Sequence, residues 1–117
     1  MKGRITLTIQ VFGTKKCKET RKAELFFKER RIKFQFIDIL EKSPSSGEWQ
    51  AIFRYIPPEE LLDRNGRRYK ARKLHHMAID PKEELTEDPL LMKTPVVRSD
   101  MGITAGYNPD IWKKWID

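Results

Sequence analysis

The sequence predicts an α/β fold in which a strand–helix–strand unit, a helical insert and a strand–strand–helix unit follow one another. Three observations carry that expectation. Residues 5–12 alternate apolar and polar side chains, residues 18–30 recur at helical spacing, and residues 32–39 return to a β-type pattern. Residues 95–105 read as two short strands around a tight turn, with a helix start directly behind them. Residues 44–92, between these units, hold a capped helix start and proline breaks.

In the first strand Ile5, Leu7, Ile9 and Val11 alternate with Thr6, Thr8, Gln10 and Phe12, and Gly13 ends it and permits a tight turn. The helix over 18–30 puts Ala23, Phe26 and Phe27 on one side and leaves Glu24, Lys28 and Arg31 in water. Its basic last turn suits the negative end of the helix dipole. No glycine closes it, so its end is read from the change of period. In the second strand Ile32, Phe34 and Phe36 share a face. Strand, helix, strand in so short a span makes the two strands parallel.

Ser45 and Glu48 form a capping box for a helix over about 47–55, with Trp49, Ile52, Phe53 and Ile56 on its apolar side. Pro57-Pro58 breaks that helix, and Pro58 opens a short one through Leu61 and Leu62. Asn65-Gly66 turns the chain. Residues 67–82 carry too weak a period for an assignment, and residues 81–86 suit one or two helical turns. Residues 95–99 and 103–105 are strands joined by Asp100-Met101-Gly102. Asn108-Pro109-Asp110 supplies a helix N-cap, a first-position proline and a first-turn acid. Ile111, Trp112, Trp115 and Ile116 then dock the last helix on the sheet.

At 117 residues the chain reads as one domain, residues 1–117, with its helical insert at about 44–92. Such a length buries about two-thirds of its unfolded surface and needs no metal or disulfide staple. One cysteine excludes an internal disulfide and a multi-cysteine zinc site. His75 and His76 are sequence neighbours, which do not normally converge on one metal, so no bound cofactor is expected. The N-terminal run, interrupted by Thr6, Thr8 and Gln10, is too polar for a signal-peptide core and too short to span a membrane. That points to the cytoplasm.

The net charge of +7 and pI near 9.6 suggest an acidic partner. Acids and bases are interspersed through most of the chain, as on a solvated surface. Lys28-Glu29-Arg30-Arg31 and residues 64–73 are the exceptions. The second run has no acid and admits contact with nucleic acid or an acidic protein face, against the plainer reading of a solvated charge run.

The chemistry gathers at Phe12-Gly13-Thr14-Lys15-Lys16-Cys17-Lys18-Glu19-Thr20-Arg21. Cys17 falls on the loop that turns a strand into a helix. A thiol there faces unpaired backbone N–H groups and the positive end of the helix dipole. Lys15, Lys16, Lys18 and Arg21 add positive charge within about a turn. Both effects favour the thiolate, the nucleophilic form. The alternative is a small buried hydrophobe, a common fate for a free cysteine, with solvated lysines around it.

The order of elements, the cysteine after the first strand and the proline opening the third give a chain that resembles the arsenate reductase (ArsC)/Spx family. The resemblance rests on Val11-Phe12-Gly13-Thr14-Lys15-Lys16-Cys17 through Ala23, and on Leu62-Asp63-Arg64-Asn65-Gly66 with Tyr69. It rests further on Pro89-Leu90-Leu91-Met92-Lys93-Thr94-Pro95-Val96-Val97 and on Gly106-Tyr107-Asn108-Pro109. It implies a thioredoxin-like βαβ–(helical insert)–ββα fold, a four-stranded mixed sheet with flanking helices. It also implies a cis peptide at Thr94-Pro95 beside the Cys17 thiol, where Thr94 and Pro95 receive an extended thiol substrate. An ordinary trans proline at a strand start is the alternative.

The same resemblance argues against efficient arsenate reduction. Family reductases hold the oxyanion with three arginines. Here those positions fall on Thr94, on Asp63 (with Arg64 next to it), and on Tyr107 or Asn108. Such a clamp binds arsenate poorly, although the lysines near Cys17, with Arg21 and Arg98, are partial substitutes. The Spx side of the family comprises regulators that bind RNA polymerase and usually carry a C-x-x-C switch and a longer C-terminal tail. Thr20 stands at the second cysteine position, and this sequence ends at Asp117, just after the last helix.

A monothiol site remains, with Cys17 as nucleophile, Thr20 donating to the thiolate from one turn away, and Arg21 nearby. Cys17 attacks a disulfide or other electrophile, and an external thiol such as glutathione or a glutaredoxin resolves the product. Lys15, Lys16 and Lys18 receive an acidic thiol substrate. The competing reading is a non-catalytic regulatory protein that binds a partner such as RNA polymerase. Direct nucleic-acid binding rests on charge alone, with Tyr69 the one aromatic in the basic run.

Overall fold

A computed structural model describes residues 8–116. Four strands form one mixed sheet: β1 (Gln10–Gly13), β2 (Gln35–Asp38), β3 (Val96–Ser99) and β4 (Gly102–Ala105), in the order β2-β1-β3-β4. β1 runs parallel to β2, with Phe12 beside Ile37, and antiparallel to β3, with Phe12 beside Val96. β3 and β4 form the antiparallel hairpin. Helix α1 (Lys18–Glu29) crosses from β1 to β2. The segment between β2 and β3 is helical: α2 (Ser46–Tyr55), α3 (Pro58–Leu61), α4 (Arg67–Ala71) and α5 (Pro81–Glu87), with 3₁₀ turns at Leu74–His76 and Pro89–Leu91. Helix α6 (Pro109–Ile116) follows β4.

Both faces of the sheet are covered, and side-chain alternation distributes them. Ile9, Val11 and Val97 meet Ala23, Phe26 and Phe27 of α1 and Trp112 of α6. Phe12, Ile37, Val96 and Ile103 meet the insert through Ile52, Leu61, Leu85 and Leu91. Alternation alone puts Phe12 on the polar side of its strand; it is fully buried because the insert packs on its face.

Of the first strand expected over 5–12, residues 5–7 lie outside the described residues; among the described ones β1 runs from Gln10 to Gly13, and the Ile9 carbonyl accepts from the Gln35 N–H at 2.8 Å. The second strand begins at Gln35 rather than Ile32, because Ile32 belongs to the end of α1. There Arg31 takes a left-handed φ of 58°. The Arg31 N–H donates to the Lys28 carbonyl (3.0 Å) and the Ile32 N–H to the Phe27 carbonyl (2.9 Å). This is a Schellman closure with arginine where glycine is usual. Ile32, Phe34 and Phe36 still pack on one face, against the α1 cluster.

The capping box forms at α2. The Glu48 N–H donates to Ser45 Oγ (3.2 Å) and the Ser45 N–H to Glu48 Oε1 (2.8 Å). Asp80 caps α5, accepting from the Lys82 N–H at 3.1 Å. The insert is tied at its base: the Asp63 N–H donates to the Leu91 carbonyl (2.9 Å) and the Lys93 N–H to the Leu61 carbonyl (2.8 Å). In α6, Trp112 is fully buried and its indole N–H donates to Thr104 Oγ1 at 2.8 Å. Ile111, expected in that interface, is exposed: Trp112, Trp115 and Ile116 share the docked face, and a neighbouring position lies about 100° around the helix. The Asn108 side chain turns back to donate to the Ala105 carbonyl at 2.8 Å. No helix among the described residues is long and apolar enough to cross a membrane.

Candidate functional site

The strand-to-helix loop after β1 carries the thiol. Residues 14–17 make one turn, closed by the Cys17 N–H donating to the Thr14 carbonyl at 3.2 Å. Cys17 then stands at the N-cap of α1 with extended backbone angles (φ −76°, ψ 121°), and its carbonyl accepts the first helical bond from the Arg21 N–H. Its side chain caps nothing and is half-buried. It faces Thr94, brought there because β3 pairs with β1. The Thr94 hydroxyl donates to Cys17 Sγ at 3.0 Å, and Sγ lies 3.8 Å from the Thr94 carbonyl oxygen. The Thr94-Pro95 peptide is cis.

The hydroxyl on the sulfur is therefore that of Thr94. Thr20 points elsewhere: it is fully buried against Gly13, and its hydroxyl has no hydrogen-bond partner among the described residues. Gly13 itself serves close packing rather than a turn. It lies within β1, and a Cβ there would strike the Thr20 hydroxyl and come within 2.7 Å of the Thr20 methyl.

Cys17 opens into a cleft of about 890 Å³ between the α1 loop and the insert. Ile39, Leu90 and Met92 give it an apolar floor, and Asp63, Arg67 and Tyr69 form the insert wall. Lys16 and Lys18 line the near wall with Cys17, whereas Lys15 and Arg21 are exposed outside it. Thr94 lines the cleft, and Pro95 is buried behind it.

The basic run of residues 64–73 is sorted by its tertiary partners. Arg64 donates to the Tyr69 hydroxyl at 3.1 Å. Arg68 pairs with Asp88 at 2.7 Å, and Arg72 bridges Glu84 (2.6 Å) and Asp88 (3.0 Å). The Glu84 carboxylate foremost, then Asp88, raises the Arg72 pKa above its ordinary value. Arg67 lines the cleft and has no ion pair among the described residues. In the sequence it is only one charge in a basic run. Its neighbours' partners lie on α5 and just beyond, and no local signal foretells them.

Arginine is missing from the positions that the family resemblance marks for the oxyanion. Thr94 and Asp63 line the cleft, but Tyr107 and Asn108 do not. Tyr107 lies edge-on to Trp112 under Lys22. Arg98 is no substitute: it pairs across β1 with Gln10, donating to its side-chain oxygen at 3.0 Å, at the end of the strand away from Cys17. Among the described residues no three His, Cys, Asp or Glu side chains gather as a metal site.

A family model described as the ArsC family matches residues 12–115. A Bacillus subtilis (strain 168) protein, "Uncharacterized protein YusI", is 26% identical over 111 residues, covering 89% of this chain and 94% of that protein. The "Global transcriptional regulator Spx 2" of Oceanobacillus iheyensis is 27% identical over 109 residues, covering 89% of this chain and 80% of the regulator. The solved structure of an arsenate reductase from Vibrio cholerae superposes with a TM-score of 0.76 at 19% identity, over 94% of this chain and 98% of that one. At that identity the likeness establishes the thioredoxin-like fold.

Proposed function

This chain belongs to the ArsC family, and on that premise we propose that it is a monothiol exchange protein acting through Cys17. The observation that carries the reading is the Thr94 hydroxyl donating to Sγ at 3.0 Å on the rim of a substrate-sized cleft. A donor on sulfur stabilises the thiolate and the sulfur of a mixed disulfide leaving as thiolate. The Cys17 thiolate attacks one sulfur of a disulfide. The S–S bond breaks, a Cys17 mixed disulfide forms, and the other sulfur departs as thiolate and takes a proton from water. An external thiolate, for which glutathione or a glutaredoxin has the right chemistry, then attacks the substrate-derived sulfur and returns Cys17 as thiolate. Thr94 shapes the rim where the substrate lies, with Pro95 buried behind it, and Lys16 and Lys18 meet its anionic groups. Lys15, Arg21 and Thr20 are left outside the reacting shell.

Efficient arsenate reduction is not part of this reading, because the cleft gathers Asp63 and Thr94 where a tetrahedral oxyanion needs converging arginines. The test is incubation with oxidised glutathione and intact-mass analysis. Wild-type protein gains one glutathione on Cys17, reduced glutathione removes it, and Cys17→Ser gains none. No adduct on the wild type defeats the proposal.

A second reading has one specific support, the similarity to Spx 2 over most of both chains. It makes the protein a binding module for a protein partner such as RNA polymerase. Purified polymerase would then be retained equally by wild type and Cys17→Ser. No retention by either dismisses it.

A further inference from the structure

We propose that Arg67 sets the charge preference of the Cys17 cleft, so that the site favours disulfides carrying an acidic group beside the reacting sulfur. The inference rests on the thiol-exchange reading above and goes beyond it by naming the substrate class and the residue that selects it. The cleft holds four basic side chains: Lys16 and Lys18 on the α1 side, and Arg67 and Arg68 on α4. Arg68 is spent on Asp88 at 2.7 Å. The other three have no ion pair among the described residues and are exposed. The carboxylates lining the cleft are Glu19 and Asp63, likewise without ion pairs among the described residues.

Three uncommitted cations thus face two carboxylates, and the balance turns on a single residue. Reversing Arg67 inverts its sign. Arg67 lines the same cleft as Cys17, together with the apolar side chains of Ile39, Leu90 and Met92, so its charge acts where a bound disulfide would lie. A carboxylate on the substrate meets Arg67 while its sulfur meets the thiolate. In the exchange step the Cys17 thiolate takes one sulfur, the S–S bond breaks, and the departing thiolate leaves past the same cations.

The test uses three small symmetric disulfides that differ in their end groups: 3,3′-dithiodipropionate (anionic), bis(2-hydroxyethyl) disulfide (neutral) and cystamine (cationic). The readout is the second-order rate of Cys17 adduct formation by acid quench and mass analysis. Arg67→Glu should slow the anionic disulfide about five-fold and speed the cationic one by a similar factor, with the neutral one moving least. Arg67→Gln should give about half the effect on a logarithmic scale, and high salt should collapse the spread. Lys70→Glu makes the same change in net charge on α4 outside the cleft and should shift each rate less than two-fold. The proposal is overturned if Arg67→Glu discriminates no better than Lys70→Glu, or moves all three rates alike. If wild type forms no adduct even with the neutral disulfide, the thiol-exchange reading fails first and takes this inference with it.

Discussion

Gly13→Ala tests the contact that sets the base of α1. The added Cβ would sit 2.7 Å from the Thr20 methyl and 3.1 Å from Thr20 Cβ, where ordinary contacts are 3.4–4 Å. Thr20 is fully buried in the first turn of α1, so it cannot swing into solvent. Relief requires the turn that carries Cys17 to move. Overpacking of this kind costs about 1–3 kcal/mol. Alanine recovers about 0.5–1 kcal/mol relative to glycine inside a strand, which leaves a net loss of about 1–2 kcal/mol. Urea unfolding followed by tryptophan fluorescence measures it, with the slope checked for constancy. The Thr20→Ala background removes the hydroxyl and the methyl and leaves only Cβ at 3.1 Å, and there Gly13→Ala should cost little, a coupling of about 1–2 kcal/mol. A Gly13→Ala protein as stable as wild type, or an equal penalty with and without Thr20, would refute the packing argument.

Thr20→Val keeps the shape and replaces an unpartnered buried hydroxyl by a methyl, so it should stabilise by about 1 kcal/mol in the same assay; a loss of that size would mean that the hydroxyl is satisfied. Arg31→Gly relieves a left-handed arginine at the end of α1 and should raise stability by about 0.5–1 kcal/mol, read as a higher melting temperature. Thr94→Val removes the donor to Sγ and should slow iodoacetamide alkylation of Cys17 at neutral pH about ten-fold, with the fold intact by circular dichroism; an unchanged rate would leave the hydroxyl without a role in reactivity. Ser45→Ala removes the side-chain half of the α2 capping box and should cost about 1 kcal/mol in urea.

What was legible in the sequence was what local chemistry decides. Ser45 with Glu48, Pro58, and Pro109 with Asp110 mark helix starts because their capping and dipole effects act within a turn. The α/β class followed from periods that switch between two and 3.6. Residues 67–82 resisted because Tyr69, Leu74 and little else are buried there, too few to write a period. The left-handed Arg31 left no mark, since nothing local distinguishes it from a helical arginine. At the site, Cys17 announced itself by position, but the hydroxyl that reaches it comes from 77 residues away. Thr20 was the natural candidate at i+3, and it was drawn instead to the space above Gly13. The division of the arginines into paired and unpaired ones depended on where α5 lies, which a charge count does not encode.

The neck of the insert has a consequence for how this architecture changes over time. Its two strands of backbone are laced together at Leu62 and Met92, immediately before the chain reaches Thr94. Residues 63–91 therefore form a loop closed at its neck, which also packs on the core through Tyr69, Leu74, Leu85 and Leu91. Lengthening or rewriting such a closed loop carries only a slow, logarithmic entropy cost. Exposed positions of this loop, Arg67 among them, can change while Leu85 and Leu91 keep it packed on the core. The cleft lining can thus vary at its surface without disturbing the buried side chains that hold it on the sheet.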